Sequence, residues 1–236
     1  MIGLTMKYSD LTAVDNLSLS IEDGELFTLL GVNGAGKTTV IKMLSCLLKP
    51  ASGDAVLLGN SIRNRPQAIK QYINISPQET AVAPNLTVSE NLELIAGIYG
   101  QKSRTASQNA KRIADQFGLT GELNKKAKTL SGGMQRRLSV AMSLITDPSI
   151  LFLDEPTLGL DVLARRNLWT TIKSLKGRIT IILTTHYMEE AEALSDRIGV
   201  MANGRLMALG TVAELMAQTG TNKLEDAFIT LSGGVT

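Results

Sequence analysis

The chain has 236 residues, 44% of them hydrophobic and 19% charged, with a formal net charge of +2. This size supports a large buried core, as one α/β domain or as a domain carrying an inserted subdomain, and the balance excludes a disordered chain. The densest basic runs, Lys125, Lys126 and Lys128 followed by Arg136-Arg137, read as solvated loop and helix faces, so nothing argues for a nucleic-acid partner.

Cys46 is the single cysteine, which excludes an internal disulfide; its apolar neighbours suggest a small core residue. No apolar stretch approaches the ~20 residues of a membrane helix. The first residues lack the charged start and apolar core of a signal peptide. A cytoplasmic chain is expected, with any membrane part on another polypeptide.

In chain order, Leu17-Ser18-Leu19-Ser20-Ile21 alternates apolar and polar residues as a half-buried strand would. Asp23-Gly24 marks a turn, and Leu26-Phe27-Thr28-Leu29-Leu30 reads as a buried strand. A helix is expected over 38–48, stopped by Pro50, with further strands at 55–59 and 72–76. From 79 to 146 the texture is helical. Thr87 with Glu90 forms a capping box, a second helix is expected over 106–117, and Ser131 opens a third.

Apolar runs at 150–153 and 179–183 have the character of parallel-sheet strands. Asn203-Gly204 between 197–201 and 205–209 signals a hairpin, and Thr211 with Glu214 is a second capping box. Residues 224–229 make a short amphipathic turn or two in a tail over 216–236. The whole reads as an α/β core over about 1–78 and 147–215, with a helical subdomain inserted at about 79–146.

Gly31-Val32-Asn33-Gly34-Ala35-Gly36-Lys37-Thr38 fits the phosphate-loop pattern between a strand and a helix, with Thr39 behind it. Its glycines turn backbone N–H groups toward phosphate oxygens, Lys37 reaches the β- and γ-phosphates, and the Thr38 hydroxyl suits Mg²⁺. Asp154 and Glu155 end a buried strand at the sheet edge where open α/β sheets bind ligands. Adjacent strand residues point to opposite sides, so the two carboxylates are expected to have different jobs. His186, the only histidine, ends the next strand at the same edge, and its imidazole can donate to a phosphate oxygen.

The order phosphate loop, Leu130-Ser131-Gly132-Gly133-Met134, acidic strand end resembles that of the ATP-binding cassette (ABC) ATPases, over about residues 8–210. The resemblance implies a RecA-like P-loop NTPase core, a small N-terminal antiparallel β part and an inserted helical subdomain, with ATP and Mg²⁺ as cofactors. By resemblance, Asp154 holds Mg²⁺, Glu155 is the general base, His186 contacts the γ-phosphate and Gln78 senses Mg²⁺ and the attacking water. Tyr8 resembles the aromatic that stacks on adenine, and Asp161 matches the loop that communicates between two nucleotide sites. Ser131, Gly132 and Gly133 would close over ATP held by an opposite subunit, identical or a paralogue, in a head-to-tail pair. The departures at Val32, Leu158 and Val162 remove no ligating side chain. The wording after Gly133 and after His186 is similar to the drug, lipid and polysaccharide exporter branch. That implies a separate integral membrane permease partner and a peripheral place on the cytoplasmic face. The alternative is a soluble ABC ATPase of DNA repair or of ribosomes.

Overall fold

The computed structural model describes residues 1–234. The chain begins with an antiparallel pair, β1 (Ile2–Tyr8) and β2 (Leu11–Leu17), and then enters β3 (Leu26–Leu30) and α1 (Lys37–Leu44). β4 (Ser52–Asp54) returns to the free side of β1, giving a small sheet of order β2-β1-β4. A two-rung hairpin, β5 (Val56–Leu57) and β6 (Asn60–Ser61), precedes α2 (Pro66–Lys70) and β7 (Ile73–Ser76). Three helices follow: α3 (Val88–Ile98), α4 (Ser103–Gln116) and α5 (Gly132–Leu144). Then come β8 (Ile150–Asp154), α6 (Val162–Lys173), β9 (Thr180–Thr185) and α7 (Met188–Leu194). The hairpin β10 (Arg197–Ala202) and β11 (Arg205–Gly210) leads to α8 (Val212–Thr219) and α9 (Leu224–Leu231).

The main sheet has the order β11-β10-β3-β9-β8-β7, parallel throughout except at the β10–β11 edge. Every residue of β3, β8 and β9 is buried, because both faces of this sheet are covered. Alternation then divides neighbours between two cores. Leu151 and Leu153 pack with α3, α4 and α5, whereas Ile150 and Phe152 pack with α1 and the small sheet. Register aligns the carboxyl ends of the three central strands: Leu30 lies beside Thr185, and Asp154 beside Thr184. This edge carries the site.

Local signals set several boundaries as expected. Thr87 and Thr211 each close a full capping box with Glu90 and Glu214, and these hydrogen bonds hold both carboxyls below their usual range. The Asn203-Gly204 turn has φ of +49° and +77°, as a two-residue hairpin loop demands. Elsewhere tertiary contacts override the local pattern. β2 ends at Leu17, and no strand continues through Ile21, although Leu17 and Leu19 are buried. The expected strand over 55–59 shrinks to Val56–Leu57 because Leu58, at φ +50°, turns the chain back. α1 stops at Leu44, well before Pro50. Cys46 takes φ +59°, and the N–H groups of Leu47 and Leu48 both fold back to the Lys42 carbonyl. Cys46 is therefore a half-buried turn residue at the core margin, and its surroundings raise the thiol pKa by desolvation. Arg136 overturns the expectation of a solvated basic face, since it is only 2% exposed.

Candidate nucleotide site

β3 delivers the chain into residues 31–36, where Gly34 (φ +84°) and Gly36 (φ +97°) take left-handed backbone that favours glycine. A Cβ at Gly36 would also strike the Ala13 carbonyl oxygen of β2, so the small sheet closes directly on the loop. Gly36 is the N-cap of α1 and provides no side-chain cap, and no acidic residue occupies the first turn. The helix therefore presents bare N–H groups and its positive dipole end to the loop.

Lys37 is buried at this turn. Its Nζ donates to the carbonyls of Gly31 (2.7 Å) and Val32 (3.1 Å) and lies 3.5 Å from Glu155 Oε1. Desolvation lowers the ammonium pKa, with Glu155 opposing it. The Thr38 hydroxyl donates to Asp154 Oδ1 at 3.1 Å, and the Thr184 hydroxyl donates to the same oxygen. Two hard oxygens, one hydroxyl and one carboxylate, are thereby placed side by side. Among the described residues no cluster of three His, Cys, Asp or Glu side chains could hold a metal. A cation here would need phosphate oxygens and water, and that donor set fits Mg²⁺.

Asp154 closes β8, and Glu155 lies just beyond it at φ +47°. This unusual backbone separates the two carboxylates: Asp154 faces Thr38 and Thr184, whereas Glu155 faces Lys37 and His186. The expected division of tasks is thus geometrically available, although a left-handed residue creates it where simple strand alternation was expected. Glu155 N–H is pinned to the Thr184 carbonyl and hydroxyl. Glu155 Oε2 lies 2.8 Å from His186 Nδ1. Above these groups opens a cavity of about 660 Å³, lined by Tyr8, Asn33, Gly34, Gly36, Lys37, Thr38, Thr39, Gln78 and Glu155. It is roomy enough for a nucleotide.

The family model for the ABC transporter matches residues 14–158. The chain belongs to the ABC transporter family. It is an ABC ATPase. It is 40% identical over 223 residues to the daunorubicin/doxorubicin resistance ATP-binding protein DrrA of Streptomyces peucetius, covering 94% of this chain and 68% of that protein. It is 40% identical over 235 residues to the probable multidrug ABC transporter ATP-binding protein YbhF of Escherichia coli, covering 97% of this chain and 40% of YbhF. Among solved structures, the dimer of an ATP-binding cassette in a post-hydrolysis state with bound ADP and Pi superposes with a TM-score of 0.80. That match is 25% identical and covers 89% of this chain and 97% of the other.

The rest of the cassette is arranged differently. Gly31, Val32 and Ala35 support the phosphate loop from below, where Ala35 joins the core and Gly31 is buried against the Met201 carbonyl. Ser131, Gly132, Gly133 and Asp161 do not line the cavity. Ser131 caps α5 by accepting from Met134 N–H at 3.3 Å, and a Cβ at Gly132 would meet open space. Asp161 caps α6, accepting from Ala164 N–H at 2.8 Å. Sequence reasoning missed Thr184, whose hydroxyl bridges Asp154 and Glu155; its polar position at a strand end beside the acidic strand was the available signal. The Asn203-Gly204 hairpin was expected, but not that it lines the cavity with Leu11, Thr12 and Ala13. Among the described residues no helix is long and apolar enough to cross a membrane.

Proposed function

We propose that this chain is the ATP-hydrolysing subunit of an ABC exporter, working as a head-to-tail pair on a separate integral membrane permease. One observation carries the reading: Glu155 sits between Lys37 and His186 at the phosphate loop, while the glycine-rich start of α5, Ser131–Gly133, lies apart from that cavity. A second copy or a paralogue would supply that element across a shared ATP. The dimeric cassette with ADP and Pi supports pairing, and relatives named for drug resistance and multidrug transport support export.

In this reading residues 31–39 cradle the triphosphate, Lys37 binds its β- and γ-oxygens, and Tyr8 stacks on adenine. Thr38 and Asp154 would hold Mg²⁺, with Gln78 beside them, and the ion would neutralise charge developing on the phosphates. Glu155 accepts the proton of the attacking water. With His186 Nδ1 engaged by Glu155, Nε2 is the nitrogen left to face the γ-phosphate. Asp161, at the exposed start of α6, links the two nucleotide sites. Residues 79–146 act as a helical subdomain against a core of 1–78 and 147–215, with 216–236 as a tail. Leu94 and Ile98 on α3, with Tyr99 just past its end, expose apolar surface, which supports docking of the permease from the cytoplasmic side, close to residues 78–90.

The test is Glu155→Gln with saturating ATP and Mg²⁺. The variant is expected to bind ATP, release no phosphate and run as a stable dimer in size-exclusion chromatography. A variant that remains monomeric would reject the shared-ATP arrangement. Co-purification of the parent chain with a six-span membrane protein from a neighbouring reading frame separates the exporter reading from a soluble ABC ATPase.

A further inference from the structure

We propose that Arg136 is a positioning residue for hydrolysis, holding the left-handed peptide at Glu155 so that its carboxylate meets Lys37 and His186. This rests on the reading of Glu155 as the general base. Arg136 leaves the second turn of α5 and runs inward, where all five of its N–H donors find backbone carbonyls. Nε donates to Pro156 O at 2.8 Å, and Nη2 to Asp154 O at 3.0 Å and Glu155 O at 3.1 Å. Nη1 donates to Pro77 O at 2.6 Å and Gln78 O at 3.1 Å. One planar fork therefore grips three consecutive carbonyls at the acidic strand end and two in the loop after β7.

Three physical points give this arrangement a purpose. First, no carboxylate oxygen pairs with the buried cation; it relies on neutral carbonyls, and desolvation lowers its pKa. A buried charge so placed is costly unless every donor is satisfied. Second, Glu155 occupies φ +47°, a strained region that persists only when the surroundings over-determine it. The surroundings here are Thr184, which holds the Glu155 N–H, and Arg136, which holds the carbonyls before, at and after Glu155. Third, the fork joins Gln78 and Glu155 to the helix that begins at Ser131. The loop facing one nucleotide and the helix start facing another thus share a single side chain.

Lysine cannot reproduce the fork, because its three donors diverge from one nitrogen. Trp169 supplies a readout independent of turnover. It is the only tryptophan, and its Nε1 donates to Glu190 Oε1, the atom that also accepts from Thr157 Oγ1 in the loop Arg136 grips.

The experiment compares the parent with Arg136→Lys and Arg136→Gln in ATP affinity, steady-state kinetics, melting temperature and Trp169 emission. Both variants are expected to keep ATP affinity within about threefold, to lose roughly ten- to a hundredfold in kcat, and to shift Trp169 emission, as misplacement of a reacting group predicts. Arg136→Lys should retain more activity than Arg136→Gln. An unchanged kcat with unchanged emission overturns the proposal. So does a loss of ATP affinity and melting temperature in step with kcat, which marks a merely structural arginine. A parent chain that releases no phosphate rejects the reading of Glu155 itself, and Trp169 emission then decides on Arg136 alone.

Discussion

Two helices of this molecule begin beside glycine, α1 at Gly36 and α5 at Gly132-Gly133, and their surroundings could hardly differ more. α1 starts at a left-handed Gly36, walled in by β2 and by the ends of β8 and β9, with Lys37, Asp154, Glu155 and His186 within reach of one another. α5 starts at an exposed, extended Ser131 with Gly132 open beyond it and no acidic residue in its first turn. Both can receive an anion, but only the first has a carboxylate held between a lysine and a histidine beside it. Under the proposed function, the chemistry falls to one end and the closing surface to the other, so neither half would complete a reaction alone.

Removing the proposed proton acceptor should produce the largest effect. Glu155→Gln is expected to lower turnover by about 10²–10⁴-fold, read by phosphate release, with ATP affinity retained. A drop in ATP affinity of the same size would place Glu155 in binding, and the contrast between the two helix starts would weaken. Next comes the other half. Gly132→Asp adds a charge that suits a helix start but repels phosphate, and should cost about a hundredfold in turnover while the isolated chain binds ATP normally. Mixing this variant with Lys37→Ala should restore activity, because one intact composite site re-forms. Failure to complement would argue for sites completed within one chain.

A smaller effect concerns Glu190, buried where Thr157 and Trp169 meet. Burial raises its carboxyl above the ordinary 4.5, against hydrogen bonds from Trp169 and Thr157. The folded chain keeps a proton that the unfolded chain releases once pH passes 4.5. Stability from this group is therefore complete at low pH and declines as pH rises above that value. Glu190→Gln should flatten this decline, measured as melting temperature against pH. An unaltered pH profile would show that Glu190 is ionised in the folded chain. The smallest effect is Thr87→Ala, which removes a cap for about 1 kcal/mol, or roughly 2–4 °C in a chain of this size, and should leave kcat untouched.

Both helix starts are disclosed by the sequence. Residues 31–38 and 131–133 are legible because their chemistry lies in consecutive residues, as are the Thr87 and Thr211 caps and the Asn203-Gly204 turn. What escapes is decided across the fold. Alternation at 17–21 gives burial without a partner strand, and Leu58 and Cys46 break their elements through φ values that L residues rarely adopt. Arg136 reads as half of an ordinary basic pair, because the carbonyls that occupy it come from residues 77–78 and 154–156. His186 was visible as a lone histidine at a strand end, but its 2.8 Å contact with Glu155 required the strands to be aligned.

The placement of β3 has a consequence for the birth of the chain. Its two neighbours are β9, which begins at Thr180, and β10, which begins at Arg197. The strand that feeds the phosphate loop is thus made early and gains its first partner after about 150 further residues and its second after about 170, which at ordinary translation rates takes on the order of ten seconds or more. Until then an apolar stretch meant for the middle of the sheet has no edge to join. Slow, non-local assembly of this kind is where parallel sheets aggregate, and synthesis speed between β3 and β9 becomes a determinant of how much active protein a cell obtains.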